Sequence, residues 1–295
     1  MNGQGFDWNS FSSGVNPRFL LPLKTFHFTI SFLPLFASAA DRERLAGKLL
    51  HAAAGVVEPH PYCELRSLRA EVGSGVTDEA PWAVMALENP MYGFLMNLYR
   101  DRLVLTKGRH QIRELVESLD LIRSVLWNLF PTGPDGQYVT AEHSLIAMGF
   151  TPTRVTATLN QTIHLGTRIG NEADDVKNPT IFARLARIGD DPKFKAAFDV
   201  LQMEDILRGD IKVGFNKEVA GSTRQCWVTF EAPWNVTQRD IDMKFELSTG
   251  DKDAPLRPVD LADLSAPVMG FYKSLILQRF FPALFGDVNV AGGML

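Results

Sequence analysis

Three groups of residues in this 295-residue chain carry side chains that do chemistry. His164, Asp174 and Asp175 follow a threonine-rich stretch, with Arg168 and Glu172 among them. A histidine beside carboxylates is the material of general acid–base or metal chemistry. The competing reading is a solvated acidic loop after an edge strand. Arg100, Arg102, Lys107, Arg109 and Arg113 gather around His110. Phosphates prefer arginine-lined edges and helix N-termini, which makes this the best phosphate or nucleic-acid patch in the chain. Asp101 and Glu114 are mixed into it, so a salt-bridged solvated face competes with that reading. Phe280, Phe281 and Phe285 close an apolar C-terminal stretch. Exposed aromatics of this kind dock partner subunits, whereas covered ones are core.

Other chemistry finds little footing. The chain contains no GxxxxGK[ST] phosphate loop, GxGxxG fingerprint, GxSxG elbow, HExxH pair, SxxK motif or kinase signature. His60 and Cys63 lie three apart with His51 upstream, but no second cysteine is near enough to complete a four-ligand zinc site. No metal and no cofactor is expected, and a non-enzymatic role is favoured over a catalytic one.

Composition narrows the class. With 45% hydrophobic and 22% charged residues the balance is that of a globular protein long enough for one large domain or two ordinary ones. A net charge of −4 supplies no general field for nucleic acid or anionic membranes. Cys63 and Cys226 stand in no metal-type or CxxC spacing, so a reduced, cytoplasmic compartment is expected. Met1 to Val15 lacks the basic start and apolar run of an export signal, and no stretch is apolar enough to predict a membrane span. The glycosylation triplets at Asn160 and Asn235 carry no weight without such a signal.

The elements that must position these groups follow from periodicity. Phe26, Phe28, Ile30 and Phe32 alternate with His27, Thr29 and Ser31, which predicts a half-buried strand. Residues 41–54 read as an amphipathic helix stopped by Gly55. Strands are predicted at 63–72, 82–87, 93–99 and 103–107, separated by short hairpin-like spacers. A long helix follows at 111–130, where Ile112, Leu115, Val116, Leu119, Ile122, Val125 and Leu126 keep the three-four rhythm. A second series then begins: a strand at 153–165, a helix or two short helices at 180–186 and 193–202, strands at 206–215, 225–231 and 241–247, and an apolar helix at 268–285.

The two series share the order β-α-β-β-β(-β)-α, and an antiparallel sheet with its helices on one face satisfies it, giving an α+β class. The order resembles the duplicated saddle of the TATA-binding protein and, for each half, the helix-grip arrangement of a curved sheet wrapped on a long helix. The expected organisation is a flexible N-terminal arm at 1–18, a first half at 19–131, a link at 132–150, a second half at 151–286 and a tail at 287–295. Both ends read as arms that a partner or a neighbouring copy could order. The leading functional expectation is a non-enzymatic interaction or assembly subunit of a larger complex. The alternatives are a small-molecule or lipid-binding protein, or an unfamiliar enzyme, with an apolar pocket between sheet and helix, and a nucleic-acid-binding saddle.

Overall fold

A computed structural model of the chain describes residues 7–33, 44, 47, 48, 51, 64–70, 81, 83–88, 94–165, 202–204, 210–219, 222–231, 240–251, 253–262, 265–285 and 290–292. Among them the strand predictions hold within three residues, except that the strand expected at 206–215 lies at Asp210–Val219. β1 spans Thr25–Phe32, β2 Glu64–Ala70, β3 Ala83–Glu88, β4 Phe94–Leu98 and β5 Arg102–Lys107. β6 spans Pro152–Leu165, β8 Asp210–Val219, β9 Ser222–Glu231 and β10 Asp240–Gly250. Two three-residue strands, β7 (Gln202–Glu204) and β11 (Val290–Gly292), were not expected. β11 lies within the expected tail, where it pairs with the end of β6.

All strands join one antiparallel sheet in the order β2-β3-β4-β5-β1-β6-β10-β9-β8-β7, with β11 beside β6. Reading outward from β1 gives β5, β4, β3, β2; reading outward from β6 gives β10, β9, β8, β7. The two series meet along the β1–β6 pair, where Phe28 faces Ala157 and Ile30 faces Val155.

Among the described residues the long helices share one buried core with the inward-facing strand residues, as an α+β fold requires. α1 is Trp8–Ser12 and α2 is Ile112–Leu129, opened by a capping box between Gln111 and Glu114. α3 (Pro258–Ala262) precedes α4 (Ser265–Phe271), which runs through a π-helical stretch, Tyr272–Phe280, into α5 (Phe281–Phe285). In that stretch the Phe281 N–H reaches five residues back to the Ile276 carbonyl. Such a bulge shifts the buried stripe, and here Leu275, Ile276 and Leu277 are buried in succession while Gln278 and Arg279 stay exposed. Of the predicted helix at 41–54, the described residues Arg44, Gly47, Lys48 and His51 are helical; the predicted helices at 180–186 and 193–202 lie outside the described residues, apart from Gln202 in β7.

The core fills the space between sheet and helices. Phe32 meets Phe130 and Phe150 at ring separations of 5.9 and 5.0 Å under the end of α2, and Phe245 meets Tyr272 edge-on at 5.6 Å under the last helix. The N-terminal segment, expected as a flexible arm, is instead seated on this core. Asp7 caps α1 through Asn9 and Ser10, and Phe11, Val15, Phe19, Leu21 and Leu23 are all buried. The link region at 132–150 is likewise folded: the Leu145 N–H bonds the Leu129 carbonyl, and Leu145 and Phe150 are buried.

Candidate functional site

The structure disperses the groups that look contiguous in sequence. Phe280, Phe281 and Phe285 are each fully buried, with Phe281 edge-on to Phe285 at 5.5 Å and to Phe19 at 5.7 Å. They form core beneath the N-terminal segment, so the expected exposed aromatic patch is absent at these three residues. Lys273 donates to the Ser10 carbonyl at 2.9 Å, Gln278 to the Gly14 carbonyl at 3.2 Å, and Arg18 to the Phe285 carbonyl at 3.1 Å. These contacts stitch the segment onto the last helix.

The arginine cluster separates because a strand runs through it. Arg100 and Arg102 stand at one end of β5, Lys107 ends the strand at the other, and Arg109 and Arg113 lie beyond it; over six residues that is roughly 17–20 Å. Alternation also divides them: Arg102 lies on the face away from the helices, whereas Lys107 is inward and only 5% exposed. Arg113 pairs with Glu117 at 2.8 Å on the outer side of α2, and Arg102 pairs with Asp101 at 3.0 Å. His164 sits at the end of β6, its register partners being Asp240 and Ala291. Asp174 and Asp175 lie outside the described residues.

What the fold does assemble is a broad polar surface on the sheet face that no described helix covers. Thr25, His27, Thr29 and Ser31 from β1 alternate onto it, as do Arg154, Thr156, Thr158, Asn160 and Thr162 from β6. The register aligns them in rows across the strands. One row runs Leu95, Thr106, His27, Thr158, Glu246, Trp227; the next runs Asn97, Val104, Thr29, Thr156, Ser248, Gln225. A third places Ser31 between Arg102 and Arg154.

Hydrogen bonds set the orientation of these side chains. His27 Nδ1 lies 3.2 Å from Thr106 Oγ1, and partial burial, followed by the Lys244 charge, lowers its pKa from the ordinary histidine value. Thr162 donates to Asp242 at 2.5 Å, Asn160 to Thr25 at 2.8 Å, and Lys244 pairs with Glu246 at 2.7 Å. Arg154 Nη2 donates to Ser248 Oγ at 2.9 Å and to Gln225 Oε1 at 3.5 Å. Arg154 escapes sequence reasoning because nothing near it in the chain is basic; only the strand register places it near Arg102.

Other titratable groups are held in the interior. His110 is buried, shares a hydrogen bond from Nδ1 with the Gly108 carbonyl, and has no partner for Nε2 among the described residues. Burial, offset in part by the Gly108 bond and reinforced by Lys107, lowers its pKa to about 4. Cys226 is buried, and desolvation pushes its thiol well above the usual range, which makes it an inert core residue. Among the described residues no group of three or more His, Cys, Asp or Glu is placed to hold a metal ion, and no helix is long and apolar enough to cross a membrane.

No protein-family model matches the chain, and no curated protein matches it. Among solved structures, the di-domain ARO/CYC StfQ from the steffimycin biosynthetic pathway aligns at 10% identity and a TM-score of 0.20, over 88% of this chain and 95% of that one. The immunity protein TplEi of the T6SS from Pseudomonas aeruginosa aligns in two forms. Complexed with "L" peptide it gives 8% identity and a TM-score of 0.19, over 85% of this chain and 90% of that one. In its apo form it gives 7% identity and 0.18, over 91% and 92%. Likeness at these TM-scores carries no argument about fold or function.

Proposed function

We propose that this chain is a non-enzymatic interaction subunit that works in a larger cytoplasmic assembly and docks a protein partner on the open face of its sheet. The observation that carries this reading is the face itself, a polar surface spanning β4 to β9 with no described helix over it. Its composition suits a protein surface: Arg154 and Lys244 stand among Asp242 and Glu246, with hydroxyls and the partly exposed Trp227 between them. Nucleic acid fits less well, because phosphates laid along the strands would meet those two carboxylates. The identical strand order read outward from β1 and from β6 supports a duplicated scaffold as the origin of so wide a face.

The test uses untagged protein purified from its native cells, compared with a Thr158→Arg variant. Thr158 lies at the centre of the face, between His27 and Glu246. The reading expects a stoichiometric protein partner with the wild type, lost in the variant at unchanged melting temperature. A wild-type chain that sediments alone as a monomer, or a variant that keeps its partner at full occupancy, overturns it.

A further inference from the structure

The Ser31 end of the open face carries more positive charge than its own surroundings neutralise. Both groups that accept hydrogen bonds from Arg154, Ser248 and Gln225, are neutral, and no carboxylate among the described residues pairs with it. Its Nε is buried and has no acceptor among the described residues. A guanidinium is a permanent cation with a rigid fork of donors, and with only neutral acceptors on it Arg154 keeps its full positive charge for an incoming anion. Arg102, on the other side of Ser31, lies with its guanidinium 4.2 Å from the centre of the Tyr99 ring, and its pairing with Asp101 is solvent-exposed and therefore weak.

The spacing lets these groups act on one ligand. Arg102 and Arg154 are both register partners of Ser31, on the strands to either side of it. Neighbouring strands are 4.7–4.9 Å apart, so the two arginine Cα atoms stand roughly 10 Å from one another with a serine hydroxyl between them. Long guanidinium side chains can close that gap. On the far side of Arg154, Gly250 brings no side chain to the row.

We propose that the Arg102–Ser31–Arg154 row binds a phosphate-class oxyanion, its oxygens accepting from both guanidinium groups and from the Ser31 hydroxyl. A tetrahedral anion offers acceptors in several directions and so suits donors that approach from both sides better than a planar carboxylate does. The inference stands apart from the docking reading, since it concerns the purified chain alone. The group could be a free phosphate or the phosphorylated side chain of a peptide, and the experiment separates these sources.

The experiment is calorimetric titration of the full chain at constant ionic strength with inorganic phosphate, with a short phosphoserine peptide and with acetate. Saturable binding of phosphate or phosphopeptide is expected, weakened at least about tenfold in Arg154→Gln, where the charge-assisted donors are lost. Tighter binding of the peptide assigns the group to a phosphorylated side chain; equal affinity assigns it to the free anion. No saturable binding, acetate binding as tight as phosphate, or unchanged affinity in Arg154→Gln overturns the proposal. Should Arg154→Gln fail to fold, Ser31→Asp decides: a carboxylate between the two arginines is expected to raise the melting temperature and abolish phosphate binding, and a variant that still binds phosphate refutes the site.

Discussion

The Tyr272 hydroxyl donates to Gln161 Oε1 at 3.0 Å, with both side chains sealed in the core. Gln161 Nε2 donates in turn to the carbonyls of Leu21, at 2.9 Å, and Pro22, at 3.3 Å. One amide thereby fastens the last helix, the sixth strand and the segment that leads into the first strand. Burial raises the Tyr272 pKa far above the ordinary phenol range, so the proton is retained and the donor role is fixed.

Replacing Tyr272 with Phe leaves the Gln161 oxygen without its donor and is expected to cost about 1–3 kcal/mol. Gln161→Leu should cost more, because it strands the phenol and two backbone carbonyls together. Urea unfolding of the two variants checks the order; a Gln161→Leu protein as stable as the wild type would show that the network contributes nothing.

Phe19 is 1% exposed and edge-on to Phe281, so Phe19→Ala should destabilise the fold by about 3–5 kcal/mol, the range for emptying a buried aromatic site. Deleting residues 1–19 should uncover the Phe281 and Phe285 rings and raise the fluorescence of a bound hydrophobic dye. A flexible arm would change neither quantity.

His110 makes stability depend on pH in a defined window. Its folded pKa of about 4 lies below the ordinary value of 6.5, so between those values the unfolded chain binds the proton more readily. The contribution is complete above pH 6.5 and is lost as the pH falls toward 4, about 3 kcal/mol in all. Comparing wild type with His110→Gln at pH 7 and pH 4.5 isolates it. The wild type should lose more stability than the variant over that interval, and parallel losses would remove His110 as the cause.

Gly250 has a φ of +93°, and a Cβ there would stand 2.3 Å from the Thr153 carbonyl oxygen and 2.7 Å from Leu256 Cδ1. Gly250→Ala should therefore cost more than about 1 kcal/mol, since both the backbone region and the space exclude a side chain. Thermal unfolding measures it. A variant that melts with the wild type would mean that the β10 end can rearrange freely.

Local patterning made much of the fold legible. The alternation of Phe26, Phe28, Ile30 and Phe32 fixes which side of β1 is buried, and the spacing from Ile112 to Leu126 fixes the buried side of α2. The N-terminal segment escaped because Phe11, Val15 and Phe19, though four apart, stand singly among Asn, Ser and Gly with Gly14 and Pro17 breaking any helix between them; their burial depends on a helix more than two hundred residues away. β7 and β11 are too short to show alternation. The arginine cluster misled for the opposite reason: neighbours in sequence were separated by the length and the two sides of β5, while Arg154 was brought to Arg102 by register, which local patterns do not encode.

The β1–β6 seam also sets the order of events during synthesis. Phe32 leaves the ribosome well over a hundred residues before Leu165, and at 5–20 residues per second the delay is on the order of 10 s. For that interval the first five strands can pair among themselves, but the free edge of β1 has no neighbour and offers its backbone groups to any other nascent chain. Crowded polysomes would make this edge the point where copies join wrongly, and a chaperone that shields residues 25–32 until the sixth strand arrives would raise the yield of native protein.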